Sequence, residues 1–156
     1  MTRKNRLYNI LFPIWLFYLL PTGVWLIILV ANFLIDSLVL YLASKYLRIR
    51  EYLPLWQRSI PRIWGIGFVG DFLGALLILA LELIRNELFP EWNTFYFPGA
   101  TLIVLPGVAI SVLCIFFLDR RYAFVKTDLD ELTVTKLSRI FAVFTAPYAM
   151  LIPLYG

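Results

Sequence analysis

The stretch that most constrains this chain is an apolar run from Leu7 to Ser44 with a single charged residue, Asp36. A helix rises about 1.5 Å per residue, so one unbroken helix over this run would be roughly 57 Å long, nearly twice the ~30 Å hydrocarbon thickness of a bilayer. One straight span therefore does not fit. Pro21-Thr22-Gly23 interrupts the run, and proline and glycine favour a tight turn over a helix interior. The run divides into a short segment over 7–20 and a full-length segment over 23–44.

The alternative is a single membrane helix kinked at Pro21, since such kinks are common in membranes. The charges distinguish the two. A single crossing would place the basic N-terminus and the basic stretch over 45–62 on opposite sides of the membrane, whereas a hairpin places both in the cytoplasm. With the hairpin, every Lys and Arg except Arg85 is cytoplasmic, as the positive-inside rule describes. The sequence therefore predicts a cytoplasmic N-terminus, and it leaves open whether segment 7–20 spans the membrane or is re-entrant.

The composition points to the same class of protein. Hydrophobic residues make up 62% of the 156 residues and charged residues 15%, against about 25% charged in a typical soluble domain. We expect an all-α integral membrane protein without a removable signal peptide. It forms a single transmembrane domain over 1–156 with an external C-terminus. Its five membrane segments, a short first arm and four full-length helices in one bundle, cover about 7–20, 23–44, 63–84, 99–118 and 137–154.

Several chemistries are excluded by residue type. The chain has no histidine and one cysteine, Cys114, so it has no intrachain disulfide, no histidine-ligated metal and no histidine-based catalysis. We expect no metal and no cofactor. We also expect no nucleic-acid partner, because the distribution of the basic residues behind the net charge of +4 is explained by membrane orientation. The expected partners are the lipid bilayer, anionic lipid at the cytoplasmic face, and either further copies of this chain or another membrane protein.

Two cytoplasmic stretches carry local predictions. The segment from Pro54 to Pro61 is expected to lie along the inner leaflet, where Arg58 meets anionic lipid, or to form a solvated loop. Asp128, followed three residues later by Glu131, resembles a capping box, so the last helix is expected to begin near Asp128.

Two aspartates lie inside predicted membrane segments, where a charge costs about 2.5 to 3.5 kcal/mol at a helix centre. Asp36 lies nine residues before Lys45, and Asp71 lies nine residues after Arg62. Each is therefore roughly 13 Å from its basic anchor. Other helices offer polar groups at a similar depth, and the sequence predicts a shared polar pocket that faces the cytoplasm. Its candidate residues are Asp36, Asp71, Asn32, Ser111 and Thr145.

Small residues flank one of these aspartates. Gly70 and Gly74 form a GxxxG motif, which allows two membrane helices to approach closely, and Gly67 and Gly74 lie on the same side of the helix as Asp71. We therefore expect Gly67, Gly70 and Gly74 to be helix-packing residues and Asp71 to point toward a helix contact rather than toward lipid.

Three functions remain open. The first is a small channel or transporter component for an ion, a proton or a small solute, oligomeric because five short helices scarcely enclose a pathway. The second is a non-transporting assembly or regulatory subunit whose GxxxG face and basic inner loop bind another membrane protein. Apart from these functions, a purely structural interpretation is that the aspartates are protonated, hydrogen-bonded and hold the bundle together. The third is an intramembrane aspartyl hydrolase. Hydrolases of the presenilin type use a GxGD motif, and Phe68-Val69-Gly70-Asp71 lacks its first glycine. We therefore do not expect an enzyme.

Four short motifs carry a resemblance: FPIWL from Phe12, NFLIDSLVL from Asn32, GDFLGA from Gly70 and FTAPY from Phe144. With them the chain resembles uncharacterised small multi-pass membrane proteins of Gram-positive bacteria. The resemblance covers four of the five segments and implies a bacterial plasma membrane, but no activity.

Overall fold

A computed structural model describes residues 23–94 and 96–151, and this part of the chain is all-helical. The predicted segment over 7–20 lies outside the described residues. Four α-helices and two short helical turns follow one another along the chain. They are α1 (Val24–Tyr46), α2 (Tyr52–Leu88), α3 (Gly99–Leu118), a π-helical turn (Asp119–Ala123), α4 (Glu131–Phe144) and a 3₁₀ turn (Tyr148–Leu151).

Three of these helices are long and apolar enough to cross a membrane: Trp25–Tyr46, Tyr52–Leu88 and Gly99–Ala123. Their outer surfaces agree with that property, because large apolar side chains such as Leu26, Leu83 and Phe117 are more than half exposed. The described structure is thus compatible with a membrane location. The predicted number of five membrane segments is not confirmed.

The second helix begins earlier than the predicted segment over 63–84. It contains 37 residues and includes Pro61, which is exposed and therefore leaves the carbonyl of Gln57 without its helical donor on the outer side. A helix of this length measures about 55 Å, so its first turns extend beyond one hydrocarbon core. The predicted solvated loop from Pro54 to Pro61 is wrong, because these residues belong to α2 and Leu55 and Ile60 are buried in the core of the bundle. Contact of this segment with the inner leaflet stays a prediction.

The connection between α1 and α2 is consequently short. Arg48 adopts a left-handed backbone with φ of 57°. This turn lets the N–H of Ile49 donate to the carbonyl of Ser44 at 2.9 Å, which closes the end of α1.

The last helix differs from the expected segment over 137–154 at both ends. Asp130, not Asp128, caps its start and accepts a hydrogen bond from the N–H of Thr133 at 3.1 Å. The helix ends at Phe144, three residues before Pro147, which has no N–H to continue it. The hydroxyl of Tyr148 instead donates to the carbonyl of Val143 at 2.8 Å. The segment is therefore a 14-residue helix followed by a 3₁₀ turn.

We call the end of the bundle where α1 ends, α2 begins, α3 ends and α4 begins the basic end, because Lys45, Arg58, Arg120, Lys126 and Lys136 lie there. An apolar core at this end includes the fully buried side chains of Leu40, Ile115, Leu137 and Phe141. A second, smaller core surrounds Ile78 and Met150 near the opposite end.

The contact between α2 and α3 is unusually close. A Cβ atom added to Gly70 would lie 2.9 Å from Cγ1 of Ile115, and one added to Gly74 would lie 2.6 Å from the carbonyl oxygen of Gly107. Such distances leave no room for a side chain at either glycine. The two helix backbones therefore touch directly along the GxxxG motif.

Candidate functional site

Four of the five predicted polar residues line one cavity of about 170 Å³. Asn32 and Asp36 come from α1, Asp71 from α2, and Thr145 from the first residue after α4. The wall is completed by Gly67 and by the backbone turn from Phe144 to Ala149. Residues far apart in the sequence thus meet in one polar space between three helices.

Asp36 occupies the inward face of α1. Its side chain is 4% exposed, and Leu40 and Ser44, one and two turns further on, are buried on the same face. A Cβ atom on Gly67 would lie 4.0 Å from Oδ2 of Asp36, an ordinary van der Waals distance. The absence of a side chain at Gly67 therefore keeps space open in front of the carboxyl group.

Asp71 enters the same cavity from α2. It is 3% exposed, and its Oδ1 atom is buried without a hydrogen-bond partner. The side chains of Asp36 and Asp71 line the same cavity of about 170 Å³. A buried carboxyl group without a partner is costly, so this pair needs a bound proton, a cation or water in the cavity.

Thr145 lies where α4 ends. Its hydroxyl donates to the carbonyl of Phe141 at 2.9 Å, which leaves the oxygen lone pairs available as acceptors. The break before Pro147 turns the chain across the mouth of the cavity, so Ala146 and Pro147 also line it. The proline thus places a polar end of α4 beside the two aspartates.

Ser111 does not line the cavity. It is fully buried in the α2–α3 contact, and its hydroxyl donates to the carbonyl of Gly70 at 2.9 Å. Its depth is similar to that of the aspartates, but its face of α3 points at the α2 backbone. Ser111 is therefore a packing residue, together with Gly70 and Gly74, rather than part of the predicted pocket.

Asp119 is a buried carboxyl group that sequence reasoning missed. It is 0% exposed, and neither carboxyl oxygen has a hydrogen-bond partner. The sequence contained a signal, because Gly107, Ser111, Ile115 and Asp119 recur every four residues and all four are buried. The adjacent Arg120 and Arg121 made this position look like the end of a solvated segment.

Ion pairs of the described residues lie elsewhere. Arg58 pairs with Asp128 at 3.7 Å, Arg120 with Glu131 at 2.9 Å, and Arg85 with Glu82 at 2.7 Å. None of these pairs includes Asp36, Asp71 or Asp119. No group of three or more side chains suited to a metal ion was found in residues 23–94 and 96–151.

Comparisons of the chain with protein-family models, with curated proteins and with solved structures found no match. The class that fold and cavity define is an all-helical protein with three helices able to span a membrane and a polar cavity lined by α1, α2 and the end of α4. The resemblance to small multi-pass membrane proteins of Gram-positive bacteria stays a prediction.

Proposed function

We propose that this protein is a small channel or transporter component whose cavity binds an ion or a proton at Asp36 and Asp71. The observation that carries the proposal is the cavity itself: two carboxyl groups, an amide and a hydroxyl from three helical elements line one space of about 170 Å³. A structural lock would pair these groups with one another, yet Oδ1 of Asp71 has no hydrogen-bond partner. An unpaired buried acceptor on a residue that lines a polar cavity supports a ligand site.

The charge distribution and the resemblance complete the proposal. The basic end faces the cytoplasm of a bacterium, because the positive-inside rule orients the plasma-membrane protein that way. The N-terminus is then cytoplasmic. The protein works as an oligomer or with another membrane protein, since the described helices alone scarcely enclose a continuous pathway. Anionic lipid contacts the basic end.

Flux through reconstituted liposomes tests the proposal. The double variant Asp36→Asn with Asp71→Asn keeps the size of both side chains and removes both charges. We expect proton or monovalent-cation flux to fall at least about tenfold, the change that corresponds to about 1.4 kcal/mol. Asp128→Asn is the matched control, because this carboxyl group is fully exposed. A double variant with the flux of the unaltered protein contradicts the proposal.

The second candidate, a non-transporting assembly subunit, loses part of its basis. Its expected docking surfaces were the GxxxG face and the basic inner loop, and Gly70 and Gly74 of the first already contact α3 of the same chain. A partner would have to bind another face. Copurification of a stoichiometric membrane partner, together with absence of flux from the purified protein, would favour this candidate.

The aspartyl hydrolase stays as a third candidate because both aspartates line one cavity, an arrangement that carboxylate-pair hydrolysis requires. It predicts that Asp36→Asn alone and Asp71→Asn alone each abolish cleavage of a membrane peptide substrate. Cleavage that survives either change excludes it.

A further inference from the structure

The side chain of Asp119 is the most enclosed charged group among residues 23–94 and 96–151. It is 0% exposed, and Oδ1 and Oδ2 are both buried without a hydrogen-bond partner. Native structures seldom keep such a group without a bound ligand, a proton or a specific role. The Asp36–Asp71 cavity does not include Asp119. The proposed function therefore leaves this carboxyl group unexplained.

The backbone at Asp119 is also unusual. Asp119 is the first residue of the π-helical turn that ends at Ala123, and π-helical turns are frequent at functional sites. The turn keeps Asp119 and Ala123 buried while Arg120 and Arg121 remain exposed. A buried carboxyl group is thus followed directly in the chain by two exposed arginines of the basic end.

The three buried aspartates lie along one interior of the bundle. Asp36 and Asp71 line one cavity, and Leu40, one turn after Asp36, belongs to the same apolar core as Ile115, one turn before Asp119. The π-helical turn packs against α2 and α4 at the basic end, whereas Asp71 lies in the cavity. Asp36 is consequently the middle member, and Asp119 is the member on the side of the basic end.

Basic residues of the neighbouring helices do not neutralise Asp119 in the described structure. On α2, Arg58 contacts Asp128, and the Nη1 atom of Arg62 is buried without a hydrogen-bond partner. On α4, Lys136 and Arg139 are exposed. Glu131 pairs with Arg120 at 2.9 Å. No ion pair of the described residues therefore includes Asp119.

The surroundings of Asp119 distinguish a proton from a metal cation. Ile115 and Ala123, one turn before and one turn after it, belong to an apolar core with Leu137 and Phe141. A metal cation such as Ca²⁺ takes six or more oxygen ligands, and the core side chains around Asp119 are apolar. A proton needs a single oxygen atom. The local chemistry therefore suits a proton.

We infer that Asp119 is a proton-binding residue between the basic end and the Asp36–Asp71 cavity, and that the ion of the proposed function is a proton. This inference rests on the proposed function. A proton leaves a hydronium ion at the basic end, binds a carboxylate oxygen of Asp119, and then passes to the carboxylate of Asp36. Asp119 returns to its starting form, and water is the only other product. Because no hydrogen bond joins the two carboxyl groups, the proton crosses by side-chain rotation or through a bridging water.

Proton flux into liposomes tests this inference. The full chain is reconstituted with a pH-sensitive dye inside the vesicles, and potassium with valinomycin balances the charge during an acid pulse. We expect Asp119→Asn to reduce proton flux to the level of protein-free liposomes, and Asp119→Glu, which keeps a carboxyl group, to retain part of it. Asp128→Asn, the matched exposed carboxyl group, should leave flux unchanged.

The outcomes separate this inference from the proposed function. If Asp36→Asn abolishes proton flux and Asp119→Asn does not, the inference is overturned and the proposed function stands. Sodium or potassium flux without proton flux likewise overturns the inference alone. If the unaltered protein moves no ion, the proposed function fails, and infrared difference spectra between acidic and neutral pH decide on Asp119. A carboxyl band lost in Asp119→Asn but kept in Asp128→Asn supports proton binding, and identical spectra overturn it.

A folding control excludes a purely structural role. Gel filtration and the helical circular dichroism signal show whether Asp119→Asn folds. If it does not fold, Asp119→Glu is used in its place, and a shift of its carboxyl infrared band relative to the unaltered protein is the readout of proton binding. Arg62→Gln tests the alternative that Asp119 forms a structural ion pair with Arg62. Equal losses of thermal stability in Arg62→Gln and Asp119→Asn, with no specific loss of proton flux, would overturn the inference.

Discussion

Two sides of the same helix behave differently in this protein. On one side of α2, Gly70 and Gly74 press against α3, and the hydroxyl of Ser111 fills the remaining space. On another side, Gly67 and Asp71 face a cavity of about 170 Å³. Glycine thus serves close packing in the first region and open space in the second. The difference teaches that the neighbour of a small residue, and not the motif alone, determines its role.

The largest effect is expected from Gly74→Ala. The added Cβ atom would lie 2.6 Å from the carbonyl oxygen of Gly107, and a backbone atom cannot move aside without shifting α3. Overpacking of this kind costs about 1–3 kcal/mol. We expect a lower thermal unfolding temperature of the detergent-solubilised protein.

Gly67→Ala is the matched control for this change. Its Cβ atom would meet only Oδ2 of Asp36, at 4.0 Å, so its unfolding temperature should equal that of the unaltered protein. Equal destabilisation by both substitutions would show that the two sides of α2 do not differ as described.

A smaller loss of stability is expected from Ser111→Ala. The substitution removes the hydrogen bond to the carbonyl of Gly70, worth about 0.5–1.5 kcal/mol. Since Ser111 lies outside the cavity, flux should be unchanged. Ser138→Ala is the control, because its buried hydroxyl bonds only to Val134 of its own helix at 2.9 Å, and it should cost less. A lower flux in Ser111→Ala would show that Ser111 contributes to the polar site.

The smallest effect is expected at the start of α4. Hydrogen bonds from the side chain and the backbone of Thr133 hold the pKa of Asp130 below its usual 3.8. The cap therefore contributes stability above pH 3.8, and the contribution is lost as the pH falls through the lowered pKa. The protection factor of the Thr133 amide against hydrogen exchange, relative to its intrinsic rate at each pH, should fall when Asp130 is protonated. In Asp130→Ala it should already be low at neutral pH. Asp130→Asn, whose side chain also caps helices, should retain protection at both pH values. Exchange that does not depend on Asp130 would rule out this cap.

The sequence predicted the aspartate pair because a charged side chain within an apolar membrane segment costs free energy on any face of the helix. It did not predict the separation of Ser111 from that pair, since depth along a helix says nothing about which neighbour its face meets. Asp119 was missed for a related reason. Its inward face follows from the four-residue spacing through Ser111 and Ile115, but the arginines beside it suggested solvent.

Helix ends were harder to predict than helix interiors. The prolines at 54 and 61 suggested a loop, yet Leu55, Ser59 and Ile63 recur at helical spacing and are buried on one side of α2. Packing of these side chains outweighs the donor lost at Pro61. At α4 the opposite holds. The apolar pattern continues beyond Phe144, but Pro147 ends the helix, and the hydroxyl of Tyr148 satisfies the freed carbonyl of Val143.

Cysteine labelling tests most directly the central claim that one region is a polar cavity reached by water and the other is a dry contact. The only native cysteine, Cys114, is first replaced by alanine. Thr145→Cys and Ser111→Cys are then exposed to a small, membrane-impermeant thiol reagent. We predict that Thr145→Cys reacts and that Ser111→Cys reacts only after unfolding. Failure of Thr145→Cys to react in the folded protein, or equal labelling at both positions, would contradict this claim.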